Sequence, residues 1–160
     1  MGNYRNFKLV YYFIAQGTAR AEKEKLEKDI GFFEKYMRPD KVYLEPYRNN
    51  ILADEKHVEL CREIFEKHGV EVAGGLTTTI PTPEGAEKKQ RMFDTFCYND
   101  EQMLSRLREV CTFIGKHFNE FIIDDFFFTN CTCEACRREG MNITGSTGSR
   151  TEAGRHTGCT

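Results

Sequence analysis

Acidic side chains and potential metal ligands lie side by side in one stretch of this chain, FIIDDFFFTNCTCEACR. Its apolar start is typical of a buried strand and ends in Asp124 and Asp125, and a Cys-x-Cys-x-x-Cys motif follows at Cys131, Cys133 and Cys136. Carboxyl groups at a strand end can act as general acids or bases. Thiolates at this spacing can turn toward one metal ion. The stretch therefore predicts acid chemistry next to a metal site.

The chain contains seven cysteines, an odd number that cannot all pair within one molecule, so reduced thiols or metal binding are favoured. Zinc prefers four ligands at the corners of a tetrahedron, and Cys97, just before the third predicted helix, is the candidate for the fourth. The alternative is that Cys97 is only a buried thiol and that the other three form a disulfide or stay free. Cys61 and Cys111 occupy apolar positions of helical patterns, which predicts small core residues.

Strand and helix patterns alternate along the chain. Apolar, β-branched runs predict strands, and apolar residues at helical spacing predict helices. The predicted strands are residues 8–15, 41–47, 70–79 and 121–127, and the predicted helices are residues 19–37, 54–68 and a third that follows Asn99 as its cap. The order βαβαβαβ predicts an α/β fold in which helices pack against a parallel sheet.

Two architectures begin with this order, an open doubly wound sheet and the (β/α)8 barrel. The residues after the first predicted strand do not match the G-x-G-x-x-G motif of a nucleotide-binding open sheet. A barrel needs eight β/α units, typically about 250 residues, and this chain contains about four. We therefore predict the N-terminal half of a (β/α)8 TIM barrel over residues 1–140. Residues 141–160 have almost no apolar side chains and are predicted to form a disordered tail. This tail is either the result of a longer reading frame that ended early or an ordinary flexible tail.

The acidic strand end followed by CTCEAC resembles the beta-galactosidases of glycoside hydrolase family 42 and related TIM-barrel glycosidases. In those enzymes a Cys-x-Cys-x-x-Cys run after the fourth strand, joined by one earlier cysteine, holds a structural zinc in many members. Over residues 96–137 the resemblance rests on sequence motifs. Over the rest of the chain it rests only on the alternation of predicted strands and helices. It implies a structural zinc bound by Cys131, Cys133 and Cys136, with Cys97 as the fourth ligand.

The chain departs from the resembling family at the acid itself, because those galactosidases carry Asn-Glu at the end of the fourth strand where this chain has Asp124 and Asp125. The resemblance implies a glycoside hydrolase, in which one carboxylic acid protonates the leaving oxygen and a second carboxylate acts as nucleophile or activates water. The second carboxylate comes from a later strand in that family. We therefore expect no glycosidase activity from this chain alone.

Only one of the two aspartates can enter a barrel from a regular strand, because successive side chains point to opposite faces. We assign the catalytic acid to Asp125, which lies nearer the barrel mouth, and expect Asp124 to bond a neighbouring loop or helix end. Desolvation by the three phenylalanines that follow would raise the pKa of such an acid. The reverse assignment stays open, as does a structural role in which both aspartates cap a turn.

Polar side chains also follow the second predicted strand. Glu45, Arg48 and Asn49 offer a carboxylate, a fork of donors and an amide, which could hydrogen-bond sugar hydroxyls. The alternative is a local salt bridge with ordinary loop polarity.

The charge of the chain indicates no polyanionic partner. The formal net charge is −2 and the basic residues are spread along the chain, which argues against nucleic acid and against a polybasic membrane patch. No apolar run reaches the roughly 18 to 20 residues of a membrane span, and the charged start is not typical of a secretory signal, so we expect a cytoplasmic protein.

The expected partners are a carbohydrate substrate and, through open sheet edges, a second copy of the chain. The alternative function is a non-catalytic zinc-binding α/β module that binds a carbohydrate or a protein.

Overall fold

The computed structural model describes residues 4–81, 94–124, 129 and 131–138. Strands and helices alternate along this part of the chain, as the hydrophobic patterns predict. The strands are β1 (Val10–Phe13), β2 (Lys41–Arg48), β3 (Ile51–Leu52), β4 (Glu71–Thr77), β5 (Thr79–Ile80), β6 (Asp94–Thr95) and β7 (Phe121–Asp124). The helices are α1 (Ala15–Thr18), α2 (Lys23–Tyr36), α3 (Glu55–Lys67), α4 (Glu101–His117) and α5 (Glu134–Arg138).

One parallel sheet runs through the fold in the order β1-β2-β4-β7. Strand β3 pairs antiparallel with the end of β2, and β5 pairs antiparallel with β6 beyond the carboxyl end of β4. Each strand of the parallel sheet lies beside the next one along the chain, and each connection between them contains at least one helix. The predicted α/β fold is therefore confirmed, and its topology is consistent with part of a (β/α)8 barrel.

The hydrophobic core lies between one face of this sheet and the helices. Val42, Leu44 and Leu76 are fully buried on the sheet side, and Cys61 of α3 is fully buried on the helix side. Burial raises the pKa of the Cys61 thiol to about 12, so this side chain behaves as a small apolar residue, as predicted. Cys111 is half-buried and packs against the same core.

The opposite face of the sheet carries charged side chains at both ends. Because side chains alternate along a strand, Lys41 and Glu45 of β2 lie on the face away from the core. At the amino end of the sheet, Lys41 Nζ lies 2.7 Å from Glu120 Oε2 and 3.0 Å from Glu71 Oε1. Glu45 lies toward the carboxyl end, which is the end where parallel α/β folds bind their ligands. The two ends therefore carry separate polar networks.

Two helix starts differ from the sequence prediction. Helix α4 is capped by Asp100, whose Oδ1 accepts a hydrogen bond from Met103 N at 2.9 Å, and not by Asn99. Both residue types make good caps, so the pattern alone did not decide between neighbours. Helix α2 begins at Lys23 rather than near Ala19, because the residues just after β1 form the separate short helix α1.

Several predicted features fall outside the described residues. They are Asp125, the phenylalanines at 126–128 and the tail over residues 141–160. Within the ranges that the structure describes, no helix is long and apolar enough to cross a membrane.

Candidate functional site

A buried carboxylate, Glu45, organises the carboxyl end of the sheet. Its side chain is 0% exposed. Glu45 Oε1 accepts hydrogen bonds from the Tyr12 hydroxyl at 3.1 Å and from Thr77 Oγ1, and Oε2 accepts from Ala15 N and Arg48 Nε at 2.9 and 2.8 Å. Both oxygens are therefore satisfied, as a buried carboxylate requires. Through these hydrogen bonds the Glu45 side chain connects residues of β1, α1, β2 and β4.

Arg48 extends this hydrogen-bond network from β2 across the sheet to β7. Its Nη2 donates to Thr77 Oγ1 at 2.9 Å and to Asp124 Oδ2 at 3.1 Å. Burial alone would lower the pKa of the Arg48 guanidinium, but the hydrogen bonds and charges of Glu45, Tyr12 and Asp124 together outweigh burial and raise it. The Asp124 side chain is 42% exposed. The contacts from Glu45 through Arg48 to Asp124 thus fix a partly exposed carboxylate at the end of the fourth parallel strand.

An extra residue in β2 turns Arg48 toward this network. Between Leu44 and Tyr47, β2 advances by three residues while β4 advances by two. Such a bulge reverses the alternation of side chains along the strand. Tyr47 is therefore fully buried in the core, and Arg48 joins Glu45 on the polar side. Pro46 lies within the bulge, where a missing amide donor is tolerated.

Gly75 leaves room for Tyr12 to reach Glu45. A Cβ atom on Gly75 would lie only 2.8 Å from the Tyr12 hydroxyl oxygen. Burial is the main reason that the pKa of Tyr12 is well above its usual value; the nearby carboxylates of Glu45 and Asp124 add to the rise, and the hydrogen bond to Thr77 opposes it. Tyr12 therefore keeps its proton and serves as a donor in this network.

Asn49 lies in the tight turn between β2 and β3. Asn49 and Asn50 have φ values of 50° and 63°, as both residues of a two-residue type I′ hairpin loop must. The Asn49 Oδ1 atom is buried and accepts no hydrogen bond from the described residues. Of the three residues predicted to bind sugar, Glu45 and Arg48 are in direct contact and Asn49 is only their neighbour along the chain.

Four cysteine sulfurs form a second group beyond the carboxyl ends of the strands. The Sγ atoms of Cys97, Cys131, Cys133 and Cys136 all lie within 4.8 Å of one another. Cys97 Sγ is 3.5 Å from Cys136 Sγ and 3.9 Å from Cys133 Sγ. A tetrahedral ion with metal–sulfur bonds of about 2.3 Å has sulfur–sulfur edges of about 3.8 Å. The four sulfurs are thus spaced to hold one ion.

Two loops supply these cysteines. Cys97 follows β6, and the other three follow β7. The Cys136 amide donates to Cys133 Sγ at 3.5 Å, which folds this pair into a single turn at the start of α5. Beside the cluster, Thr129 Oγ1 donates to the carbonyl oxygen of Phe96 at 2.8 Å. Side-chain and backbone contacts therefore hold the two loops together around the sulfurs.

The chemistry of these donors matches a thiophilic metal. Cys97 and Cys136 are buried. Burial raises the pKa of the Cys136 thiol, whereas a bound cation favours the thiolate. Four sulfur ligands fill a tetrahedral shell and leave no position for water, which is the arrangement of structural rather than catalytic zinc sites. The predicted four-cysteine cluster is confirmed as a group that could bind a metal.

Comparison with known proteins gives the family. Residues 1–145 match the family described as "Probable glycosyl hydrolase, catalytic domain". The chain belongs to this family. An uncharacterized protein of Saccharolobus solfataricus is 32% identical over 130 residues, which make up 81% of this chain and 22% of that relative. The chain therefore spans less than a quarter of the relative's length. It matches no solved structure.

Sequence patterns identified some residues of this candidate site and missed others. Asp124 lies at the predicted strand end, whereas Asp125, the predicted acid, is outside the described residues. The sequence did not predict that Tyr12 and Thr77 hydrogen-bond to Glu45. An apolar or threonine-rich strand pattern does not show which polar side chains of neighbouring strands will come into contact. Pro46 inside a buried run was the one available signal of the bulge that orients Arg48.

Proposed function

We propose that this chain supplies the N-terminal part of the catalytic barrel of a carbohydrate hydrolase that uses two carboxyl groups. The observation that carries this proposal is the 3.1 Å contact between Arg48 Nη2 and Asp124 Oδ2, which holds a partly exposed carboxylate at the carboxyl end of β7. Hydrolysis of a glycosidic bond needs one carboxyl group as acid and another as nucleophile or base. Membership of the glycosyl hydrolase family supports the same chemistry.

We assign Asp125 as the general acid and Asp124 as the carboxylate that supports it. A general acid must carry a proton, whereas Asp124 already accepts a hydrogen bond from the permanent cation Arg48 and suits a role in the ionised form. The reverse assignment is the competing one, because register with Thr77 puts Asp124 on the polar face of the sheet. The second catalytic carboxyl group would come from a strand that follows this segment in the parent protein.

Arg48 and Asn49 are proposed to bind sugar hydroxyl groups directly, and Glu45 to act through Arg48. The four donors that surround the Glu45 carboxylate leave it little capacity for a ligand. Arg48 keeps a partly exposed guanidinium, with a side-chain exposure of 21%. The Oδ1 of Asn49 accepts no hydrogen bond from the described residues, and because it is buried, the side chain would have to turn outward to meet a sugar hydroxyl.

The four cysteines are proposed to hold one structural zinc ion. Zinc suits four thiolates in a closed tetrahedron, and its role there is to stabilise structure. The ion would join the loop after β6 to the loop after β7, close to the strand end that carries Asp124. It takes no part in the hydrolytic step.

A second candidate function is a metal-binding α/β module without catalysis, which binds a carbohydrate or a protein. The completeness of the cysteine cluster favours it, because all four proposed ligands lie within this one segment. Exposed apolar side chains on both edge strands also suit association of copies; Val10 is on β1 and Phe121, Ile122 and Ile123 are on β7. A stable monomer in light scattering would contradict association through these edges.

Saccharide binding and turnover by the purified chain separate these functions. Saturation-transfer NMR with a panel of mono- and disaccharides is expected to show binding to the zinc-loaded chain, and aryl glycosides are expected to give no turnover. Asp124→Asn should weaken saccharide binding, whereas the matched control Asp29→Asn, on exposed α2, should not. Absence of saccharide binding by the wild type, with metal bound, would contradict the carbohydrate assignment and favour a module with a protein partner.

A further inference from the structure

The residue just before α4 lies between the helix and the cysteine cluster. Asp100 caps α4, so the side chain of Asn99 is not needed for that role. It turns instead toward the loop after β7, where Asn99 Nδ2 lies 3.5 Å from Cys136 Sγ. An amide donor at this distance from sulfur makes an N–H···S hydrogen bond.

We propose that Asn99 is a positioning residue of the metal site, which holds the Cys136 sulfur through its side-chain amide and thereby strengthens metal binding. This inference rests on the proposed binding of a metal by the four cysteines. Asn99 is not a ligand itself, because its role is to donate a hydrogen bond to a ligand atom.

Charge gives the physical reason for this bond. Four thiolates around a divalent cation leave a net charge of −2 in the cluster, and Cys136 is 0% exposed. A buried thiolate cannot rely on water, so protein donors must spread its charge. The Asn99 amide offers such a donor from the side chain, as the Cys136 amide does for Cys133. Hydrogen bonds of this kind also fix the orientation of ligand atoms before the metal arrives.

Chain connectivity gives Asn99 a second effect. It lies two residues after Cys97, on the loop that supplies one ligand, and its amide reaches Cys136 on the loop that supplies the other three. The bond therefore links the two loops in the absence of a metal. A cluster assembled in advance binds its ion more tightly, because less chain entropy is lost on binding.

Metal affinity of the full chain tests the proposal directly. The dissociation constant for zinc would be measured by competition with a chromophoric chelator, and cobalt(II) would report the coordination geometry through its absorption spectrum. Asn99→Ala is expected to weaken zinc binding by about 10- to 100-fold. The matched control is Asn119→Ala, an exposed asparagine in the turn before β7, and it should bind zinc within twofold of wild type.

A second variant and the cobalt spectrum show whether a loss of zinc affinity comes from the missing hydrogen bond or from misfolding. Asn99→Asp keeps the size of the side chain but replaces the donor with a carboxylate facing a thiolate, so its loss of affinity should be at least as large. Saturating cobalt should still give the tetrahedral thiolate spectrum in both variants, which shows that the cluster forms. Zinc binding within twofold of wild type in both variants would overturn the role of Asn99. A wild-type chain that binds neither metal would overturn the metal site and this proposal together, whereas the hydrolase assignment does not depend on either result.

Discussion

Arg48 and Asp124 come from strands that are not neighbours in the sheet, and their Nη2 and Oδ2 atoms lie 3.1 Å apart. Strand β4 separates β2 from β7, and the guanidinium spans it by donating to Thr77 on the way. The contact is possible because β4 carries a short side chain at this position. One arginine thus fixes the spacing across three strands at the end of the sheet.

Replacement of Arg48 by methionine is expected to destabilise the chain by about 3–5 kcal/mol, because it leaves the buried charge of Glu45 without its cation. Urea unfolding measures the change. The double variant Glu45→Gln with Arg48→Met should recover much of the loss, because no buried charge remains. Lys25→Met, which breaks an exposed ion pair on α2, should change stability little. A loss for Arg48→Met no larger than that for Lys25→Met would contradict the buried network.

Gly74 and Gly31 form a matched pair for testing the packing of the sheet against its helices. A Cβ atom on Gly74 would lie 2.9–3.0 Å from atoms of Phe118, Ile114 and Phe121, whereas a Cβ on Gly31 in α2 would meet nothing within 4 Å. Gly74→Ala should therefore cost about 1–3 kcal/mol through overpacking. Gly31→Ala should stabilise by about 0.5–1 kcal/mol, because alanine favours helix. Thermal unfolding of both variants would show opposite shifts in Tm, and equal shifts would refute the packing described.

Metal content provides a test of the cysteine cluster. We expect about one zinc per chain by elemental analysis, lost in Cys133→Ser because three thiolates bind the ion far more weakly. Cys111→Ser is the control, since Cys111 is a half-buried thiol outside the cluster and its replacement should leave the zinc in place. Chelation should also expose the four sulfurs to a thiol reagent. Purified protein without metal, or zinc retained in Cys133→Ser, is the outcome that counts against the site.

The ion pair at the amino end of the sheet makes stability depend on pH. The hydrogen bond from Lys41 lowers the pKa of Glu120, and the same bond raises the pKa of Lys41. The contribution of Glu120 is therefore present above the unfolded carboxyl pKa of about 4.3 and is lost as the pH falls through its lower folded value. The contribution of Lys41 is present below about pH 10.4 and is lost as the pH rises through its higher folded value.

Unfolding of wild type and Glu120→Gln across pH 2–11 would measure this dependence. The difference between the two free energies of unfolding should be largest near neutral pH and should shrink at both ends. Glu101→Gln, which changes an exposed carboxylate in the first turn of α4, serves as the comparison. A difference that stays constant below pH 4 would exclude the pairing of Glu120 with Lys41.

The sequence predicted the parallel sheet well because its strands are apolar runs long enough to be recognised, and the helices α3 and α4 have strong apolar stripes. It also predicted Cys131, Cys133 and Cys136 as a group, since their spacing is a local property, whereas Cys97 was added from its expected place in the fold and from the family resemblance. It did not predict the partners of Glu45, because these depend on the register between strands. Nor did it predict the role of Asn99, since Asn99 and Asp100 are both good caps and only the position of Cys136 distinguishes them.

The bulge at Pro46 makes the length of β2, and not only its composition, a determinant of the site. If β2 kept every residue but paired continuously with β4, Tyr47 would lie opposite Thr77 instead of Leu76, and the side-chain phase would reverse. The tyrosine would then face the polar side and the arginine would enter the apolar core. A homologous chain with the same number of residues in this strand must therefore keep the bulge to retain the contact, whereas a chain one residue shorter at this point could present its arginine to the strand-end aspartate from a regular strand.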